Sequence, residues 1–225
     1  MPSWHYPGSY AQSVIAPASA LARIPEGLSF AEAAPMGCAS VTTYHALRSS
    51  KAVPGDPVAI VGVGGLGHLG VQFSRAMGFE TIAIARGAEK SADAHRFGAH
   101  HYIDSTAANV SESLQRLGGA MVVLATAANS DAIAEALGGL KPRGELVVIG
   151  VSHGPLPISP VQLISPALSV SGHPAGTAAD IEDTMNFAVL KGIRAQIQER
   201  SLEQAPDAYA AMEDGKARYR MVLTI

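Results

Sequence analysis

A glycine-rich turn carries the clearest chemistry in this sequence, the binding of a dinucleotide through its pyrophosphate. The turn Gly62-x-Gly64-x-x-Gly67 follows Val58–Val61, an apolar and mostly β-branched run that predicts a buried strand. In such a turn the first glycine permits the sharp bend, the second admits the pyrophosphate, and the third lets helix and strand pack closely. Residues 68–77 continue with helical apolar spacing, so free N–H groups of a helix would face the anion. Strand, turn and helix together predict a dinucleotide site rather than a merely structural turn.

The end of the next predicted strand indicates which dinucleotide is bound. NAD-binding versions of the motif carry an acidic residue about 20 residues beyond the glycines, where it bonds the ribose hydroxyl. Here the strand ends at Ala85, and Arg86 follows directly. A guanidinium can bind a 2′-phosphate through two hydrogen bonds, and Lys90 would add charge, so the sequence favours NADP over NAD. Two alternatives stay open: Arg86 is a solvated loop residue, or Glu89 serves as the acid in a longer turn.

Composition limits the classes of protein to consider. The 225 residues, 48% hydrophobic and 16% charged, can bury a sizeable core in one or two domains. A net charge of −3 provides no basic field for nucleic acid, and no apolar run reaches membrane-spanning length. The first residues lack the features of a signal peptide. The single cysteine, Cys38, excludes an internal disulfide and a multi-cysteine zinc cluster, and it fits a reducing compartment such as the cytoplasm.

Alternating strand and helix patterns predict an α/β fold, a doubly wound parallel Rossmann sheet of about six strands. The predicted strands are Val58–Val61, Thr81–Ala85, His101–Ile103, Met121–Ala125, Glu145–Val151 and Leu168–Ser171, and the helices between them are His68–Met77, Glu89–Phe97, Asn109–Leu117 and Ser130–Leu140. The flanks predict a strand-like Ser9–Ala18, a helix over Phe30–Leu47, and then helix Ile181–Leu190, strand Ala195–Ser201, helix Ala205–Glu213 and strand Tyr219–Ile225.

Several dispersed motifs, in the same order, give the chain a resemblance to the medium-chain, zinc-type alcohol dehydrogenases. Gly8–Gln12 and Ala22–Gly27 look like the segment leading out of that family's catalytic domain. Residues 33–47, Ala-Ala-Pro-Met-Gly-Cys-Ala-Ser-Val-Thr-Thr-Tyr-His-Ala-Leu, look like its Cys-Ala-Gly-Val-Thr-x-Tyr helix. The glycine turn, Ile149–Val151 and the closing Gly215–Ile225 also match. The resemblance implies residues 1–50 as a partial GroES-like catalytic domain, 51–185 as the Rossmann domain, and 186–225 as a return to the catalytic domain.

The resemblance also implies roles for individual residues. Cys38 would be a ligand of the catalytic zinc and Thr42 would lie against the nicotinamide. The remaining implied contacts are Leu66 behind the nicotinamide ring, Gly150 and Val151 at its ribose or carboxamide, Lys90 at the adenosine ribose, and Arg220 at the phosphates. With the turn itself, the predicted cofactor-binding set is Thr42, Gly62, Gly64, Gly65, Leu66, Gly67, Arg86, Lys90, Gly150, Val151 and Arg220. The implied reaction is reversible hydride transfer between an alcohol or aldehyde and the nicotinamide, with zinc polarising the oxygen.

One large departure from the family concerns the metal. The region that carries the family's other zinc ligands and its four-cysteine structural zinc loop is not in this sequence. His45 follows Cys38 by seven residues, about 10.5 Å along a helix, which is too far for one tetrahedral ion. We therefore expect a truncated chain in which zinc is not bound. Two alternatives to an alcohol dehydrogenase stay open: a catalytically silent NADP-binding protein, and a zinc-free quinone or enone reductase.

Self-association is expected as well. Apolar surface that the absent region would cover needs another partner. The resemblance implies pairing of Rossmann sheets into a dimer, with the sixth strand, near Val170, as the candidate edge.

Overall fold

A computed structural model describes residues 8–152 and 154–225, which form two compact units. One unit is continuous, Ala39–Ala175, and the other combines Met1–Cys38 with Gly176–Ile225. The sequence also gives the expectations that Trp4 and His5 lie near the cleft and that His153 approaches His173, but Trp4, His5 and His153 lie outside the described residues. Whether the flanking segments represent part of a catalytic domain stays a prediction.

The continuous unit is the expected doubly wound sheet. Its strands are β1 Pro57–Val61, β2 Glu80–Ala85, β3 His101–Asp104, β4 Ala120–Ala125, β5 Leu140–Val148 and β6 Ser169–Gly172, and its helices are α2 Ala39–Arg48, α3 Gly67–Ala76, α4 Ser91–Arg96, α5 Val110–Arg116, α6 Ser130–Leu137 and α7 Pro160–Ile164. All neighbouring strands pair in parallel in the order β3-β2-β1-β4-β5-β6. This order reverses direction between β1 and β4, which creates the crevice where such sheets bind ligands. The α/β Rossmann prediction is confirmed.

Side chains on both faces of the central strands are buried, because helices cover both faces. Ala59, Val61, Ile82 and Ile84 belong to a buried cluster that also includes residues of α5 and α6. The alternate residues of β1, Val58 and Ile60, are equally buried. Near-continuous apolar strands of this kind are typical of parallel sheets. The sheet therefore forms a rigid base for the loops at its carboxyl edge.

Three predicted elements differ from the observed ones in this part of the chain. The helix predicted over Phe30–Leu47 is interrupted by a 3₁₀ segment, Ala34–Gly37, in which Pro35 cannot donate a helical hydrogen bond. The helix predicted to end at Leu140 ends at Leu137, because Leu140 instead pairs with Ala120 and begins β5. β5 ends at Val148 rather than Val151, since Ile149 and Gly150 both donate to the Ala125 carbonyl.

The other unit contains α1 Phe30–Ala33, α8 Ala178–Lys191, β7 Ile197–Ser201, α9 Ala205–Glu213 and β8 Arg220–Thr224. β7 and β8 pair in parallel as a two-stranded sheet. The strand predicted over Ser9–Ala18 is not formed, and that segment is exposed. Arg194 ties the unit together, since its guanidinium donates to the Gly27 carbonyl at 2.8 Å and to Glu32 at 3.1 Å. Within the described residues, no helix has both the length and the apolarity needed to cross a membrane.

Candidate functional site

The glycine turn lies at the point where the strand order reverses. Gly62 has φ +96°, a conformation that favours glycine, and an added Cβ would lie 3.1 Å from Thr126 Oγ1. Thr126 follows β4, and its hydroxyl lies 2.9 Å from both the Val61 and the Gly62 carbonyl oxygens, to which it donates. These bonds hold the carboxyl ends of β1 and β4 together around the crevice.

The space available for an added side chain differs between Gly64 and Gly67. A Cβ on Gly67 would overlap the Gly62 carbonyl oxygen, so glycine is required for the start of α3 to approach the end of β1. A Cβ on Gly64 would meet no atom within 4 Å. Space is therefore left open at Gly64 and closed at Gly67, as a turn that admits a ligand on one side and packs on the other requires.

Backbone donors at this turn are available to an anion. Within the described residues, the N–H groups of Gly65 and Leu66 have no intramolecular acceptor. They precede α3, a helix of 10 residues, whose N-terminus carries a partial positive charge. Free N–H groups and the helix dipole together favour a phosphate at this position.

His68 fixes the orientation of the turn. The imidazole is fully buried, its Nδ1 lies 2.9 Å from the Gly64 carbonyl oxygen, and its ring meets Phe97 edge-on at 5.5 Å. Because a carbonyl only accepts, Nδ1 carries the proton. The same oxygen accepts the backbone N–H of His68 at 3.0 Å. Two donors on one carbonyl fix the Gly64–Gly65 peptide plane and thereby the direction of the Gly65 N–H.

Two substitutions of His68 should distinguish the effect of its Nδ1 hydrogen bond from the effect of its ring packing. We expect His68→Gln, whose amide reaches toward the position of Nε2, to weaken dinucleotide affinity by about fivefold, the effect of about 1 kcal/mol. His68→Asn retains an N–H near the position of Nδ1 and should lose less affinity, although both variants lose the contact with Phe97. Fluorescence titration with NADPH, alongside urea unfolding of both variants, measures the difference. Equal affinities for the two variants would contradict the role of the Nδ1 donor.

Two carboxylates and one guanidinium surround the turn that follows β2. Arg86 is exposed, and within the described residues its side chain has no hydrogen-bond or ion-pair partner. Gly87 has φ +82°, and an added Cβ there would overlap the Glu89 carboxylate. Asp104, at the end of β3, pairs with Ala85 and accepts the Gly87 N–H at 2.9 Å. The turn at the predicted adenosine end of the site thus has both a guanidinium and carboxylates nearby, with no ion pair to Arg86 among the described residues.

Hydrogen bonds keep Asp104 ionised. Its Oδ1 also accepts the backbone N–H of Thr106 at 2.9 Å and the Thr106 hydroxyl at 2.7 Å. These two bonds, followed by the one from Gly87, lower the pKa of Asp104. Tyr102 donates its hydroxyl to the Gly87 carbonyl, and burial raises its pKa, with further contributions from the charges of Asp104 and Glu89. The turn is therefore held by side chains of the neighbouring strand β3.

Gly150 and Val151 lie beyond the end of β5. The Gly150 N–H donates to the Ala125 carbonyl at 2.9 Å, and an added Cβ would overlap the Ala127 carbonyl oxygen. Val151 is 76% exposed. Both residues thus follow the strand next to β4, at the carboxyl edge that carries the glycine turn.

The other predicted site residues are distributed over both units. Thr42 is buried in α2, Leu66 directly precedes α3, and Lys90 ends a 3₁₀ turn before α4. Arg220 belongs to the other unit, where it lines a cavity of about 410 Å³ together with Tyr10, Tyr209 and Met212. Their contacts with a cofactor stay predictions.

The described residues around the predicted zinc ligand, Cys38, do not form a metal site. Cys38 is exposed and lies directly before α2. Within residues 8–152 and 154–225, no group of three or more His, Cys, Asp or Glu side chains could hold a metal ion. Catalytic zinc needs three protein ligands and an open position, so the described residues do not fit it.

Sequence reasoning missed three features of the continuous unit. Thr126 could have been found as a hydroxyl residue directly after a buried strand. Asp104 becomes visible only through the pairing of β2 with β3. The third is a contact between His45 and His173, which lie 128 positions apart.

Comparison with known proteins decides the family. The model for zinc-binding dehydrogenases matches residues 65–189, more than half of the chain. The chain belongs to this family. The resemblance to medium-chain, zinc-type alcohol dehydrogenases is therefore confirmed.

Three known alcohol dehydrogenases match 90% or more of the chain. The sequence is 37% identical over 218 residues to alcohol dehydrogenase patD of Penicillium expansum, covering 97% of this chain and 64% of that protein. An alcohol dehydrogenase of Geobacillus stearothermophilus is 36% identical over 219 residues, with 97% and 65% covered. A solved cinnamyl alcohol dehydrogenase of Sorghum bicolor superposes with a TM-score of 0.82 at 30% identity, covering 90% of this chain and 57% of that one. The chain thus spans less than two thirds of the length of these relatives.

Proposed function

We propose that this chain is an NADP(H)-dependent, alcohol dehydrogenase-type oxidoreductase that moves a hydride between the nicotinamide and a small alcohol or aldehyde. The observation that carries the proposal is the turn Gly62–Gly67 at the β1/β4 crevice, where the Gly65 and Leu66 N–H groups before α3 have no acceptor among the described residues. The dehydrogenase names of the relatives support the same reaction class.

The chain's own residues would bind and orient the cofactor. The Gly65 and Leu66 N–H groups would donate to the pyrophosphate, and His68 would hold the Gly64–Gly65 peptide plane, and with it the Gly65 N–H, in place. Thr126 would keep the crevice at its width by joining the ends of β1 and β4. When bound, the nicotinamide supplies or accepts the hydride. No step is assigned to zinc, because the described residues do not assemble its ligands.

The preference for NADP rests on the turn after β2. Ala85 stands where NAD-binding versions carry an acid, and Arg86 extends beside it without an intramolecular partner in the described part of the chain. Asp104 is close in the sheet, and the three hydrogen bonds to its Oδ1 keep it ionised, so its charge opposes a phosphate. Glu89 is a second opposing charge. The preference therefore rests on the absence of an acid at Ala85 and on the 2′-phosphate that Arg86 would bind, with Lys90 nearby.

Titration of the protein with NADPH and with NADH tests the proposal. Enhanced nicotinamide fluorescence with tighter binding of NADPH is expected, and NADH binding as tightly would contradict the choice of NADP. Turnover of alcohols or aldehydes then tests the reaction. Binding without turnover of any substrate would instead support a silent NADP-binding protein, and reduction of a quinone or enone by metal-free protein would support a zinc-free reductase.

We further propose a cytoplasmic dimer formed along β6. This strand is the last of the sheet, and its Val170 is 38% exposed at the edge. An unpaired edge offers N–H and C=O groups to a second copy. A monomeric mass by light scattering at micromolar concentration would contradict the dimer.

A further inference from the structure

Two histidines that are far apart in sequence meet in the continuous unit. His45 lies in the last turn of α2, and His173 directly follows β6. Their Nδ1 and Nε2 atoms are 3.4 Å apart, with ring centroids at 5.2 Å and ring planes at 51°. Both residues are half-buried. The contact joins the carboxyl end of a helix to the end of the edge strand.

The separation suits a shared metal ion better than a direct hydrogen bond. Hydrogen bonds from ring nitrogens usually span about 2.7–3.2 Å, so 3.4 Å is long for one. Two imidazole nitrogens that bind one tetrahedral ion at about 2.0–2.1 Å lie about 3.3–3.4 Å apart. The observed distance therefore matches that of two ligands on one ion.

The hydrogen bonding of His173 leaves the required lone pair. Its Nδ1 lies 2.7 Å from the Pro174 carbonyl oxygen, which can only accept, so Nδ1 is the protonated nitrogen. Nε2 then presents its lone pair to His45. A metal-ligating histidine typically donates its other N–H to a backbone carbonyl in this way. The position of His45 in the last turn of α2 adds a partial negative charge that favours a cation.

We propose that His45 and His173 form a two-imidazole site for a divalent transition-metal ion such as Cu²⁺, Ni²⁺ or Zn²⁺, with water at the remaining positions. Imidazole ligands suit these ions, and Cu²⁺ binds most tightly among them. The site does not use Cys38. A bound ion would cross-link α2 to the end of β6 and thereby stabilise the continuous unit.

Metal titration in a Cys38→Ser background tests the site without the competing thiol. We expect about one Cu²⁺ per chain, with affinity at least about tenfold weaker in His45→Ala and in His173→Ala. His95→Ala is the matched control, because His95 is an exposed helical histidine of the same unit. The control should bind Cu²⁺ like the parent. Nitrogen superhyperfine splitting in the Cu²⁺ resonance spectrum should reveal imidazole ligands in the parent and weaken in both site variants.

Thermal unfolding with Ni²⁺ provides a readout besides affinity. Added Ni²⁺ should raise the unfolding midpoint of the Cys38→Ser and His95→Ala proteins but not that of His45→Gln or His173→Gln, which serve if an alanine variant does not fold. The proposal is overturned if the site variants bind as tightly as the parent. It is also overturned if Cys38→Ser alone abolishes binding, or if His95→Ala weakens binding equally.

Discussion

Alanine at position 67 should destabilise the protein and remove dinucleotide binding together. The added Cβ overlaps the Gly62 carbonyl oxygen, which is backbone and cannot rotate away. The start of α3 must therefore move from the end of β1, at a cost of about 3 kcal/mol, the upper range for overpacked sites. Displacement of α3 also moves the Gly65 and Leu66 N–H groups. Urea unfolding followed by circular dichroism, and NADPH fluorescence titration, measure the two effects.

Gly64→Ala is the matched control, because the same methyl group is added within the same turn. It meets no protein atom within 4 Å, and the φ of Gly64 is not positive. We expect the free energy of unfolding to change by less than about 1 kcal/mol, as for a site away from packed features. The methyl group would nevertheless occupy the space through which the backbone approaches the pyrophosphate, so affinity should fall at least tenfold, by about 1.4 kcal/mol. A Gly64→Ala protein that binds NADPH normally would show that the turn is only structural.

The choice between the two dinucleotides should depend on Arg86. Removing the guanidinium by Arg86→Ala should weaken NADPH by about tenfold, at the lower end of the range for charged hydrogen bonds because the side chain is exposed. NADH lacks the 2′-phosphate, so its affinity should hardly change. Parallel fluorescence titrations with both dinucleotides give the ratio.

Glu89→Gln provides the opposite change at the same turn. Removing the carboxylate that lies against Gly87 should strengthen NADPH binding and leave or weaken NADH binding. Raised salt should reduce both effects, because exposed charges are screened. If Arg86→Ala weakens NADH as much as NADPH, Arg86 does not contact the 2′-phosphate. If Glu89→Gln abolishes NADH binding alone, Glu89 is the acid of an NAD site.

The central sheet could be predicted because each of its signals is local. Apolar runs such as Val58–Val61 and Met121–Ala125 are short. Glycine or a capping residue marks the ends of the helices between such runs. Asn109 and Asn129, for example, accept backbone N–H groups at the starts of α5 and α6. The break at Pro35 was also local, but small apolar residues on both sides concealed it.

The surroundings of the site could be predicted only in part, because they depend on pairing across the sheet. Asp104 reaches the end of β2 through the register that opposes it to Ala85. His45 and His173 meet because α2 and β6 belong to one compact unit, and no spacing rule spans 128 positions. The orientation of His68 toward Gly64 follows from a helical i to i−4 relation, yet its burial follows from the packing of Phe97.

The division of the chain into two units implies an order in which they fold during synthesis. Residues 39–175 form one uninterrupted unit, so all of its strands are available once synthesis has passed that point. The other unit draws on both ends of the chain, and Arg194 meets Gly27 and Glu32 across 167 and 162 positions. Domains usually fold as units while the chain is made. The central sheet should therefore be complete on the ribosome while residues 8–38 still await their partner segment.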